Sequence, residues 1–237
     1  ISSLLIMMNA LEKKKYWLFA PAIIVYFLAY FSKSSALVFA ALIPLTLYFH
    51  RAENKRFSIA ILIILLAAAW LSRYFPKTFL PDAQRDVWLF ENPLYENRGI
   101  LYRLGTGLIA ILFYVRLLII PYPLRFYYGY DMIPLTKFPD ALSIIAFLIF
   151  AALFVWAIIK LKKRHPLSFA ILFFFIAISM FSNIVRPAVG IVAERYVYAA
   201  SLGFVIAVAY FILAAFKSLD KKADSLKTLS SSLKYVM

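Results

Sequence analysis

The sequence predicts an all-α fold, a polytopic bundle of membrane helices, and two observations carry that reading. Hydrophobic residues make up 65% of the 237-residue chain and charged residues only 16%, where an ordinary soluble chain is about 45–50% apolar. The apolar residues also gather in runs nearly free of charge, at 16–31, 35–49, 57–75, 100–120, 141–159, 166–182 and 196–216, which is the pattern of helices that cross lipid. Residues 1–216 read as one transmembrane domain. Residues 217–237 read as a cytoplasmic polar tail, either solvated or folded as a short amphipathic helix on the membrane surface. No basic stretch precedes residues 1–11, so they read as the tail of a helix rather than a signal peptide; the domain is expected to be truncated at its N-terminus.

The order of the runs sets a topology. Basic segments KKK (13–15), HRAENKR (50–56) and KLKKRH (160–165), and the tail from Lys217, are assigned to the cytoplasm by the excess of Lys and Arg found there. Runs 16–31 and 35–49 then leave and return, 57–75 leaves, 141–159 returns, 166–182 leaves and 196–216 returns. That makes about six spanning helices. The run 100–120 begins and ends outside, so a re-entrant or interfacial helix is expected there, and Gly105, Gly107, Arg103 and Arg116 fit a segment not surrounded by lipid. The alternative is that 100–120 spans and either 16–31 or 35–49 does not.

On this topology the two faces use different cations. The inside carries twelve Lys and three Arg; the outside carries eight Arg and three Lys. Any cation satisfies the inside pattern. The outside excess of arginine points to a planar, permanently charged donor that pairs bidentately with phosphate or carboxylate. Arg98, Arg103, Arg116, Arg125, Arg186 and Arg195 all fall near expected helix ends or within 100–120. They suggest a pocket for an anionic head group in the outer leaflet. The competing reading pairs them with Asp82, Asp86, Glu91, Glu96, Asp131, Asp140 and Glu194 in structural ion pairs.

Other chemistry is sparse. His50 and His165 both lie in the basic loops, no cluster has metal-ligand spacing, and Gly105-Thr106-Gly107 is too short for a phosphate loop. No divalent metal is indicated. Nucleic acid is not expected as a partner, because topology accounts for the net charge of +15. Any acid or base on the outer side is therefore a carboxylate or a tyrosine, with Glu91, Glu96, Asp131 and Glu194 as candidates.

Four stretches carry a resemblance. SNIVRPAVGIVAERYVYAASLGF (182–204) has Ser-Asn, Pro and Gly leading into Ala-Glu-Arg, then Tyr, then Ser-x-Gly-Phe. FENPLY (90–95), RLGTGLIAILFYVRLLIIPYPLRFYYGYDMIPL (103–135) and FSKSSALVFAALIPLTLY (31–48) precede it in order. The set resembles the transmembrane and tetratricopeptide-repeat O-mannosyltransferases and their bacterial relatives, over most of residues 31–204. The resemblance implies a GT-C membrane fold. It also implies transfer of a sugar from a polyprenyl-phosphate donor to an extracytoplasmic acceptor, protein Ser/Thr among the acceptors. The chain departs from the family in having Lys33-Ser34 where Lys-Glu is usual, and in lacking the repeats after 217. The catalytic acid of such enzymes lies in a first extracytoplasmic loop, which would fall upstream of Ile1.

On that resemblance Arg195 is expected at the donor phosphate, with Glu194 orienting it and Tyr198 one helical turn on, facing the same pocket. Arg186, Arg103, Arg98 and Lys33 complete the donor side, and Glu91, Asn92 and Asp131 the acceptor side. The alternative for Glu194-Arg195 is a local cap and ion pair, since an acid near a helix N-terminus meets the macrodipole favourably. Expected partners are membrane lipid, the lipid-linked sugar, and a protein acceptor or partner subunits. The compact form points to a bacterial inner membrane ahead of the endoplasmic reticulum. Three functions follow: the glycosyltransferase or its C-terminal part; a non-catalytic scaffold subunit with the same fold in a larger complex; and, last, a lipid-linked-sugar flippase, which should carry midplane charges and repeated halves.

Overall fold

The chain is helical wherever it is regular, because long apolar runs have to satisfy their own backbone groups in lipid. A computed structural model describes residues 1–51, 55–77, 89–96, 99–126, 128 and 132–234. Eight α-helices occur among them: α1 (Ser2–Glu12), α2 (Phe19–Ser32), α3 (Phe39–Arg51), α4 (Lys55–Lys77), α5 (Ile100–Ile119), α6 (Ala141–Leu161), α7 (Pro166–Ser179) and α8 (Glu194–Lys234).

Three of these are long and apolar enough to cross a membrane: Ile100–Ile119, Ala141–Leu161 and Glu194–Lys217 within α8. They are consistent with a multi-pass membrane protein. The expected count of about six spanning helices is therefore corrected to three, and the reason is length. At 1.5 Å per residue, the 14 residues of α2 and of α7 and the 13 of α3 reach only about 20 Å, against a hydrocarbon core of about 30 Å. Single-turn 3-10 stretches at Tyr16–Leu18 and Ser34–Val38 interrupt the apolar runs just before α2 and α3. In α4 the apolar part is Arg56–Ser72. The parity count behind the re-entrant assignment of 100–120 took those short helices as crossings and no longer carries it; by length and composition α5 is able to cross. The helix α5 is continuous over 20 residues. Its charges sit near its ends, where Arg116 in the last turn complements the helix dipole.

Two cores hold the helices. Met7, Leu11, Ala22, Tyr26, Ile43, Leu47 and Leu65 join α1 to α4. Leu42, Leu108, Tyr114, Phe150, Phe174, Ile178 and Val197 join α5 to α8, with α3 contributing to both. The most extensively packed helix pair is α7 with α8. Gly203 makes that approach possible, since a Cβ there would stand 2.6 Å from the Ala170 carbonyl oxygen and 2.8 Å from the Phe174 amide nitrogen; small residues serve the same purpose in membrane helix pairs generally.

Helix starts are set by side chains. Asp140 and Ser143 form a capping box at the start of α6, with the Asp140 amide donating to Ser143 Oγ at 3.0 Å. His165 caps α7, its Nδ1 accepting from the Leu167 amide at 3.3 Å. Its ring also packs against Trp156 and Tyr210, at centroid distances of 5.4 and 5.2 Å.

The contacts sort the loops by end. Glu12 meets His50 at 3.2 Å, Phe19 meets Phe57, and Arg164 lies 4.7 Å over the Tyr48 ring, so the three lysine-rich segments share one end of the bundle. At the other end lie 89–96, the described connector residues 121–126, 128 and 132–140, and the α7–α8 crossover 180–193. The connector runs back along α5, so that the Phe138 amide reaches the Leu101 carbonyl at 2.9 Å. The helix α8 continues without a break past 217 to Lys234.

Gly203→Leu is expected to part α7 from α8 at a cost of about 2 kcal/mol or more, read as a fall in the melting temperature of the purified protein in detergent.

Candidate functional site

Asparagine side chains organise the end of the bundle opposite the lysine loops. Asn183 adopts a left-handed backbone, φ 63°, which asparagine tolerates better than most residues. From there its Nδ2 donates to the Ile191 carbonyl at 2.7 Å, and its Oδ1 accepts from the Ala188 amide at 2.9 Å. One side chain thus closes the crossover from within. Asn92 fastens a second segment to it, donating from Nδ2 to Asn183 Oδ1 at 3.0 Å and to the Ala188 carbonyl at 2.7 Å, and accepting from the Leu94 amide at 3.0 Å. Both asparagines are fully buried, where unpaired amides are costly. The Gly190 amide reaches the Glu91 carbonyl at 3.1 Å, and Tyr95 donates its hydroxyl to the Pro187 carbonyl at 3.0 Å.

The first turns of α5 press against the same loops. A Cβ at Gly107 would lie 2.6 Å from the Ser182 carbonyl oxygen, and one at Gly105 2.8 Å from the Phe138 amide nitrogen. Between them Thr106 Oγ1 accepts from the Thr136 amide at 3.0 Å. Gly105-Thr106-Gly107 is thus a docking surface for two loops rather than an anion loop.

This packing leaves a cavity of about 330 Å3 lined by Leu94, Tyr95, Arg103, Arg186 and Pro187. Arg103 enters from α5 and Arg186 from the crossover. Arg103 Nε is buried and has no hydrogen-bond partner among the described residues. No carboxylate lines the cavity among the described residues. Two arginines on one small cavity are an arrangement able to pair with an anion of phosphate size.

A second cluster surrounds the start of α8. The Arg195 guanidinium lies between the rings of Phe126 and Tyr196, 4.6 and 4.9 Å from their centroids. Tyr196 stacks on Phe181 at 4.3 Å and donates to the Val189 carbonyl at 2.8 Å. Glu194 accepts from the backbone amide of Arg125, rather than pairing with the neighbouring Arg195 side chain. Tyr128 bridges Val192 in antiparallel fashion and donates its hydroxyl to the Pro123 carbonyl. Burial, and then the Glu194 charge, push the Tyr128 phenol above its ordinary range.

The sequence-predicted residues therefore fall into separate places. Arg103 and Arg186 share the cavity; Glu194 and Arg195 sit together on the second cluster. Tyr198, 82% exposed, points away from both. Lys33 is exposed on the turn after α2 and does not line the cavity. Glu91 and Asn92 are buried at the strap beside the cavity. Arg98 and Asp131 lie outside the described residues. Asn183 was not singled out from sequence as a site residue, though the Ser-Asn pair stood within the quoted stretch. No group of His, Cys, Asp and Glu among the described residues is placed to hold a metal.

No known relative emerges. Scans of protein-family models, curated proteins and solved structures each found no match to this chain. The family resemblance rests on the ordered stretches between 31 and 204.

Asn92→Ala should destabilise the protein by about 3 kcal/mol, because the Leu94 amide and the Ala188 carbonyl lose buried partners at once; chemical denaturation in detergent measures it. For Tyr128 the sign follows from the raised pKa. A phenol with a folded pKa above its ordinary value of about 10 stabilises the fold below that pH and loses the contribution as pH rises past it. Tyr128→Phe is expected to show a smaller drop in melting temperature than the unaltered protein between pH 9 and about pH 11.

Proposed function

We propose that this chain is a membrane glycosyltransferase, or a part of one, that takes a sugar from a polyprenyl-phosphate donor and delivers it to an extracytoplasmic acceptor. The observation that carries the reading is the cavity holding Arg103 and Arg186, at the opposite end from the lysine-rich loops. The excess of lysine assigns that other end to the cytoplasm, so the arginine cavity faces outward, in a bacterial inner membrane on this reading. The donor phosphate sits between Arg103 and Arg186. As the bond from the anomeric carbon to the phosphate oxygen breaks, charge grows on the departing phosphate and the two guanidinium groups stabilise it. The acceptor oxygen bonds to the same carbon and gives up its proton to a base. The resemblance puts that base on a first extracytoplasmic loop. Glu194 and Arg195 then serve to hold the connector 120–140 against α8, beside the donor rather than upon it.

A second reading has one observation in its favour. Neither a carboxylate nor a histidine lines the cavity among the described residues, which suits a scaffold subunit that binds the lipid phosphate and leaves catalysis to a partner.

The binding test uses purified protein and undecaprenyl phosphate. Arg103→Gln and Arg186→Gln are each expected to weaken binding about tenfold, the scale of one charge-assisted hydrogen bond, while Lys15→Gln at the other end leaves it unchanged. Equal affinity in both arginine variants overturns the site. Sugar transfer from mannosyl-phosphoundecaprenol to a serine- or threonine-containing peptide separates enzyme from scaffold, since a scaffold binds and does not transfer.

A further inference from the structure

We propose a second lipid site, at the lysine-rich end of the bundle: a groove that takes one acyl chain of an anionic glycerophospholipid, with its phosphate held at Arg164. The groove lies between α3, α4, α6 and α7. Its walls include Ala41, Pro44, Leu45, Leu62 and Ile176, and its volume is about 370 Å3. Almost all of that wall is apolar, as an acyl chain requires.

Two features at the mouth say what kind of lipid fits. The first is charge. Tyr48 and Leu161 line the groove. Arg164 lies 4.7 Å over the Tyr48 ring, and Leu161 is flanked in sequence by Lys160, Lys162 and Lys163. The nearby acid Glu12 is already engaged by His50 at 3.2 Å. A cationic rim on an apolar slot matches an anionic head group on an apolar tail. The second feature is Ser58. Its Oγ is buried in the groove wall and has no hydrogen-bond partner among the described residues. A buried hydroxyl without a partner is costly. Ser58 sits one turn inside the start of α4, below the level of the basic rim. In a glycerophospholipid the acyl ester carbonyl lies deeper than the phosphate, so it can accept from the Ser58 hydroxyl while the phosphate stays at Arg164.

Pro44 contributes to the slot. It stands inside α3 and brings no amide hydrogen, so the groove wall there is ring carbon.

The site is independent of the arginine cavity, and the experiment keeps the two apart. The full chain, purified in detergent, is titrated with dioleoylphosphatidylglycerol, with dioleoylphosphatidylcholine, and with water-soluble glycerol 3-phosphate, and bound lipid is counted by native mass spectrometry. Phosphatidylglycerol should bind about fivefold or more tightly than phosphatidylcholine, the scale of one basic residue at an anionic lipid surface. Arg164→Gln should remove that preference, and Leu62→Trp, which fills the slot, should weaken both lipids. Arg103→Gln should leave all three titrations unchanged. The preference in the unaltered protein stands as a test even where Leu62→Trp fails to fold. Equal binding of the two lipids, an unchanged preference in Arg164→Gln, or competition by glycerol 3-phosphate as strong as by the lipid itself overturns the proposal.

Discussion

The hydrogen bond between Asn92 and Asn183 is the contact on which the arginine-rich end depends. The crossover between α7 and α8 carries many backbone groups away from any helix, and such groups have to be satisfied one by one. Asn183 satisfies those on its own loop, at Ala188 and Ile191. Asn92 ties that loop to a segment 91 positions earlier in the chain. Arg103 and Arg186 come from different elements, and they line one cavity only because this knot fixes the crossover beside the first turn of α5.

Chemistry at that end follows from the same economy. The asparagine side chains hold backbone, and Arg103 and Arg186 line the cavity. Arg195 shows the contrast with Arg186. Arg195 is exposed and contacts the Phe126 and Tyr196 rings, 4.6 and 4.9 Å from their centroids, while Arg186 lines the cavity. Two arginines nine residues apart thus meet different neighbours, aromatic rings at Arg195 and the cavity at Arg186.

Much of this was legible in the sequence. The apolar runs at 100–120, 141–159 and 196–216 correspond to the three helices long enough to span, and the lysine-rich segments gather at one end as the charge pattern implies. The number of crossings was not legible. Residues 16–31 and 166–182 are apolar enough to read as spans, but the 3-10 turn at Tyr16–Leu18 and the end of α7 at Ser179 leave helices of 14 residues. Composition reports how apolar a stretch is and says little about where its helix begins. At the site, the arginines could be found by type, whereas their sorting could not, because it depends on Asn183 in a left-handed turn and on Gly105 and Gly107 admitting two loops against α5.

The unbroken course of α8 has a mechanical consequence. Its 41 residues make a rod of about 60 Å, roughly twice the thickness of the hydrocarbon layer. Glu194–Lys217 is the part long and apolar enough to cross a membrane, and the remainder continues the same rod to Lys234. With no break between them, its two ends move as one lever, and the end at Glu194 is the one hydrogen-bonded to the Arg125 amide.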